Sequence, residues 1–305
     1  MNEKGPTVEK IFEKKNGVIY NFFTGFIRIR GVFNWFAISF FGFLLGISSL
    51  DITKYTLPLF FFGFSTFFVL AFTFAINNYY DIDTDKENPR RTNLNAMASG
   101  KISKHTGMWL NLIFIVIPLV LSLFYSREVF VFCALLILWM WLYSAPPLRL
   151  KGRPGLDILW HFIAFLALVL WGSYLAGSVS MITMLVAISL GIFGCFAQID
   201  NHIHDYPFDK ASRAKTFAVW IGIHKAHVAL KSSFILYIVF LIPLIVLFSF
   251  SSYLTILILC GGSVGSVLII KIKKSSVAPA LYQVITFFGG SVYLNCLIYH
   301  ITSIL

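Results

Sequence analysis

Nine blocks of roughly 18 or more apolar residues with few charges recur along the chain, at about 33–50, 57–80, 108–124, 129–147, 156–178, 180–199, 232–250, 253–270 and 278–303. That length crosses a ~30 Å hydrocarbon core as an α-helix. The pattern predicts an all-α, polytopic membrane protein with nine transmembrane helices. Composition agrees: 58% of residues are hydrophobic and 12% charged, against roughly 45–50% and about 25% in soluble domains. The fifth and sixth blocks run almost together, so their boundary is the least defined.

Residues 1–32 stay polar and basic past the place where the apolar core of a cleavable signal would fall, and none is expected. Lys10, Lys14 and Lys15, followed by Phe22, Phe23, Phe26, Arg28 and Arg30, suit an amphipathic helix lying at the membrane interface. A solvated tail is the competing reading for residues 1–15. The chain is therefore divided into an N-terminal amphipathic, basic segment, 1–32, and a nine-helix domain, 33–305.

A net charge of +11 raises the question of nucleic acid, and the placement of the charge excludes it as a partner. Of the 24 Lys and Arg residues, all but Lys54 and Arg127 fall in the N-terminal segment or in the connections after spans two, four, six and eight. Those segments share one side of the membrane, which the positive-inside rule makes cytoplasmic. The expectation is a multi-pass cell-membrane protein whose N-terminus and acidic loops are cytoplasmic. Cys133, Cys195, Cys260 and Cys296 are scattered without metal or redox spacing and read as packing residues.

Seven of the 13 acidic residues lie in two short stretches: Asp81, Asp83, Asp85 and Glu87 after span two, and Asp200, Asp205 and Asp209 after span six. A single acidic loop is most simply a solvated connector, but these two share their internal spacing. Asn77, Asp81 and Asp85 form N-x-x-x-D-x-x-x-D, and so do Asn201, Asp205 and Asp209. Lys86 matches Lys210, Arg91 matches Lys215 and Thr92 matches Thr216, always at the same interval, which marks an internal repeat. Four-residue steps keep the three oxygen-bearing side chains on one helix face. An even number of crossings separates the two stretches, so both emerge on the same side and can converge on one site.

Carboxylates at the edge of a low-dielectric bundle are costly unless cations balance them. Carboxylate and amide oxygens are the hard ligands of Mg²⁺, which takes few carboxylates and completes its octahedron with water and phosphate oxygens. Two clusters suggest two ions flanking a polyphosphate. Cationic partners for the phosphate are at hand in Arg90, Arg91, Arg149, Lys151, Arg153, Arg213 and Lys215, each of which is otherwise an ordinary positive-inside residue. Arg149 and Lys151 stand out because Pro146, Pro147 and Pro154 stiffen their segment.

In three features the sequence resembles the UbiA-type intramembrane prenyltransferases: Asn77-x-x-x-Asp81-x-x-x-Asp85 ending span two, the run from Tyr143 through Pro146-Pro147 to Arg149 and Lys151 with Pro154 and Asp157, and Asp205-x-x-x-Asp209 followed by Lys215-Thr216. The likeness covers about residues 28–303. It implies a bundle of nine helices around a central cavity capped by the two Asp-rich loops. Asn77, Asp81 and Asp85 would hold one Mg²⁺, and Asn201, Asp205 and Asp209 the second. The ions would bridge a prenyl diphosphate whose isoprenyl group passes to a hydrophobic aromatic, lipid or carotenoid acceptor within the membrane. Asp81 and Asp205, with Arg149 and Lys151, would carry catalysis. Arg28, Asn34, Arg91, Tyr143, Arg149, Lys151, Arg213 and Lys215 would contact substrate. An aromatic-lined cavity would shelter the allylic cation by cation–π contact, for which 17% aromatic residues give ample supply.

The sequence departs from that family at Asn78, where many members have Asp, and at Pro147, which stands in place of the lysine of ubiquinone-type members and weakens the case for a hydroxybenzoate acceptor. The Asn88-Pro89-Arg90-Arg91 run resembles archaeal-type members acting on lipid or carotenoid acceptors. His202 and His204 admit two readings, a proton acceptor or metal ligand on one hand and hydrogen-bonding residues on the other; His161 reads as a packed polar residue. The rival class is a secondary transporter with repeated halves, which should place its ionisable groups near mid-membrane rather than at span ends. A prenyl-adding enzyme that also hydrates a carotenoid shares the chemistry but gives another product. Chain length, acceptor and oligomeric state are not encoded legibly.

Overall fold

The computed structural model describes residues 17–87, 89–92, 94–248, 256–257, 260–264 and 277–305. Among them there is no strand, and eight helices are long and apolar enough to cross a membrane: α1 (Ile29–Gly46), α2 (Ile52–Tyr80), α3 (Lys104–Tyr125), α4 (Arg127–Ser144), α5 (Leu156–Ala176), α6 (Met181–Ala211), α7 (Ile223–Leu247) and α8 (Leu281–Ser303). Each matches an apolar block. The remaining block, 253–270, lies mostly outside the described residues, as do Lys10, Lys14, Lys15 and Asn88. Large apolar side chains stay exposed along the spans, Phe124, Leu135 and Val246 among them, the arrangement expected where lipid replaces water as solvent.

The ends of the helices have local causes. Ser103, Ser126 and Ser180 each accept a hydrogen bond from the backbone N–H three residues on, at 3.0, 3.1 and 3.3 Å, and so cap α3, α4 and α6. Gly177 closes α5 at a φ of 117°, its N–H donating to the carbonyls of Ser173 and Tyr174. The ill-defined boundary between the fifth and sixth blocks is thus a glycine stop followed by a serine start. α4 ends at Ser144 rather than near 147, because Pro146 and Pro147 have no N–H to continue the ladder. α6 and α7 reach well beyond their apolar blocks, since hydropathy marks the membrane and not the end of the backbone ladder.

The chain forms two compact units, residues 1–37 with 63–148 and residues 38–62 with 149–305. In the first, the segment ahead of α1 is helical over Val18–Asn21, passes through a π-helical turn at Phe22–Phe26, and buries Phe26 and Ile27 completely. Phe26 and Phe22 pack on Phe114 of α3, with ring centroids 6.2 and 6.4 Å apart. In the second unit, α6 is the central helix and packs chiefly on α5 and α7. Glycine makes one crossing there possible: a Cβ on Gly172 would fall on the Ser39 carbonyl, and one on Gly42 would fall on that of Val169. Ser39 Oγ uses that closeness to donate to Leu168 O at 2.8 Å.

Candidate active site

In the first unit, α2 breaks at a single residue, Asp81 (φ −101°, ψ 5°), and resumes as a short helix, Ile82–Lys86. The ladder crosses the break, Asp81 N–H donating to Asn77 O at 3.1 Å and Asp85 N–H to Asp81 O at 2.8 Å, so the three residues keep their four-residue register. Burial sorts the acids: Asp81 and Asp85 are buried, whereas Asp83 and Glu87 are exposed. Thr92 Oγ1 donates to Asp85 O at 2.7 Å and ties the following short helix, Pro89–Thr92, to the cluster; the side chain of Arg90 lies outside the described residues.

Asn78 is fully buried and faces the segment ahead of α1. Its Nδ2 donates to Gly25 O and Phe26 O at 3.0 and 2.8 Å, and its Oδ1 accepts from the Arg28 guanidinium. Burial pulls the Arg28 guanidinium below its ordinary range, while the nearby carboxylates of Asp85 and Asp81 pull it back up; an arginine stays charged under these opposing influences. Arg91 and Tyr143 are also within electrostatic reach of Arg28.

In the second unit, α6 runs unbroken through Asn201, Asp205 and Asp209, and Pro207 sits inside it. The three share a face, with Asn201 exposed and the two acids half-buried. α6 ends in a Schellman closure: Ala214 N–H donates to Asp209 O at 2.8 Å and Arg213 N–H to Lys210 O at 3.3 Å. Arg213 occupies the left-handed position of that closure, φ 57°, where glycine is preferred. Among the described residues, the non-glycine positions of positive φ are Arg28 (50°), Arg149 (40°) and Arg213 (57°). All three are basic residues assigned above to substrate contact, and backbone strain of this kind gathers at ligand-binding positions.

Arg149 opens a 3-10 turn, Leu150–Gly152, just after the cis Pro146–Pro147 bond; it is exposed and Lys151 half-buried. Lys215 is exposed beside Thr216, Tyr143 is half-buried near the end of α4, and Asn34 is exposed on α1. His202 is buried, its Nε2 3.3 Å from Asp157 Oδ2 and 2.9 Å from the Gln198 amide. Asp157 Oδ1 meanwhile accepts from Gly155 and Ile158 N–H, both at 2.9 Å, at the start of α5. His161 Nδ1 lies 2.9 Å from Asp157 O, and the exposed His204 lies 3.0 Å from Asp200 O. Sequence reasoning missed two roles here: Asp157 as the partner of His202, and Asn95, whose amide reaches Asp85.

The oxygen set of the first unit, an amide and two buried carboxylates held in one helical register, fits a hard divalent ion such as Mg²⁺. The comparisons with known proteins agree in fold. A UbiA homologue from Archaeoglobus fulgidus, solved bound to GPP and Mg²⁺, superimposes with a TM-score of 0.67 at 19% identity, covering 93% of this chain and 99% of that one. A digeranylgeranylglyceryl phosphate synthase structure gives the same TM-score, identity and coverage. A lycopene elongase/hydratase of Corynebacterium glutamicum is 29% identical over 180 residues, 56% of this chain and 61% of that protein. The sequence profile of the UbiA prenyltransferase family matches residues 29–290, across both acid clusters and the intervening Tyr143–Lys151 run, and the chain belongs to that family.

Proposed function

We propose that the protein transfers an isoprenyl group from a prenyl diphosphate to a hydrophobic acceptor within the membrane, with two Mg²⁺ ions on the diphosphate. The observation that carries this reading is the buried pair Asp81 and Asp85 in register with Asn77, with Arg28 beside them. Asn77, Asp81 and Asp85 would hold one ion, and Asn201, Asp205 and Asp209 the other. The chemistry that bound Mg²⁺ supplies is Lewis-acid neutralisation of the departing diphosphate. Arg28, Arg91, Arg149, Lys151, Arg213 and Lys215 bind and orient the phosphates, with Asn34 and Tyr143 as further substrate contacts. The prenyl C–O bond breaks with its electron pair on the diphosphate, π electrons of the acceptor close the new C–C bond, and the cation left on the acceptor is discharged by loss of a proton to the released diphosphate or to water.

For the acceptor, support comes from the curated relative, a lycopene elongase/hydratase of which the match covers 61%. A carotenoid is the acceptor class we infer. The structures solved with GPP or DMAPP and Mg²⁺ support the donor and metal. Positive-inside asymmetry supports a cytoplasmic position for the N-terminus and for both Asp-rich loops. Membranes holding the protein, given Mg²⁺, labelled prenyl diphosphates and a panel of aromatic, glycerophosphate and polyene acceptors, should yield a labelled polyene by mass spectrometry. Label only in an aromatic or glycerophosphate product would overturn the acceptor class, and no labelled product with any acceptor would overturn the transfer.

A further inference from the structure

We propose that Asn95 is a positioning residue that fixes the carboxylate of Asp85 for its ion, an inference that rests on the reading of Asp85 as a Mg²⁺ ligand. Asn95 is fully buried in the loop between α2 and α3. Its Nδ2 donates to Asp85 Oδ2 and to Asn78 O, both at 2.9 Å, while its Oδ1 accepts from Met97 and Ala98 N–H at 3.0 and 3.3 Å. Every hydrogen-bonding direction of the amide is used. The orientation is fixed as well, because a flipped amide would set its NH₂ against two N–H donors.

The loop itself is anchored. Asn95 N–H donates to Arg91 O at 3.1 Å, Ala96 N–H to Gly25 O at 3.0 Å, and Ile102 N–H to Ala96 O at 3.0 Å. Asn95 thereby joins the segment ahead of α1, the end of α2 and the acid cluster. Its chemistry suits the task. A neutral donor orients a carboxylate without compensating its charge, which stays available to a divalent ion, whereas an arginine or lysine in the same place would compete with the metal. Partners of this kind govern ligand orientation and metal affinity. The repeat offers no equivalent, since the position matching Asn95 in the second half is Val219.

The test uses the full chain in detergent with Mn²⁺ as a spin-active probe and inorganic pyrophosphate as the diphosphate, binding being read by electron paramagnetic resonance. Asn95→Ala and Asn95→Ser should weaken one Mn²⁺ equivalent by about tenfold or more and leave the other at wild-type affinity. Serine keeps a turn acceptor for the loop, so its agreement with alanine separates loss of the amide donor from collapse of the loop. Asp85→Asn should weaken the same equivalent. Wild-type Mn²⁺ binding in both Asn95 variants, with Asp85→Asn weakened, would overturn the positioning role and leave the metal reading standing. Equal weakening of both equivalents would show a general structural role instead and also overturn it. Unchanged binding in Asp85→Asn would overturn the metal reading and this inference with it.

Discussion

His202 Nε2 lies 3.3 Å from Asp157 Oδ2, both side chains buried. His202 immediately follows Asn201, the first residue of the second N-x-x-x-D-x-x-x-D stretch, as Asn78 follows Asn77 in the first. Both buried residues lie against a polar residue near the start of a helix that opens a half of the repeat: His202 against Asp157 at α5, and Asn78 hydrogen-bonded to Arg28 just ahead of α1. The repeat thus preserves an anchor as well as the spacing of its Asn and Asp residues, and the anchor's chemistry differs between the halves. A double-mutant cycle with Asp157→Asn and His202→Gln should give a coupling of about 1–3 kcal/mol in detergent unfolding. Additive effects would mean that the two groups are neighbours without energetic consequence.

Asn78 makes the corresponding contacts in the first unit, with its amide donating twice and accepting once. Asn78→Leu leaves the Gly25 and Phe26 carbonyls and a buried guanidinium without that partner. The expected cost is roughly 1–3 kcal/mol per orphaned group, seen as a lower unfolding midpoint. A midpoint equal to wild type would show that these groups find other partners.

Arg213 should trade stability for binding. Arg213→Gly relieves a left-handed φ of 57° and should stabilise the protein by about 1 kcal/mol, while weakening prenyl diphosphate binding at least severalfold. Thermal midpoint and ligand affinity, measured on the same preparation, check both halves. Unchanged affinity would remove Arg213 from the substrate contacts.

Close helix approach should be equally sensitive. Gly172→Val drives side-chain carbon onto the Ser39 carbonyl and should destabilise by about 1–3 kcal/mol or more, whereas Gly63→Val, with open space around it, should cost much less. Equal effects of the two would mean that the crossing is looser than the geometry requires.

Much of this was legible in the sequence because membranes impose length and because acids are rare in apolar chains. Asn77, Asp81 and Asp85 stood out against a nearly carboxylate-free background. Asn95 did not, since its partners are set by a loop folding back on the segment ahead of α1, and no periodicity records such a return. Nor did the strained arginines, because glycine is the usual signal for a positive φ and arginine carries none. The helical register of Asn201, Asp205 and Asp209 was legible from their four-residue spacing, although α6 continues to Ala211, well past its apolar block.

The central claim is that the two acid clusters act on one leaving group. It is tested most directly by the single-turnover rate of prenyl diphosphate C–O cleavage at saturating Mg²⁺ in folded Asp81→Ala, Asp205→Ala and the double variant. Each single substitution should slow cleavage by at least roughly a hundredfold, the scale of about 2.7 kcal/mol for one preorganised electrostatic contact. The double variant should be little slower than the worse single one, because groups acting as a unit are not additive. Near-normal cleavage in both single variants would contradict the account.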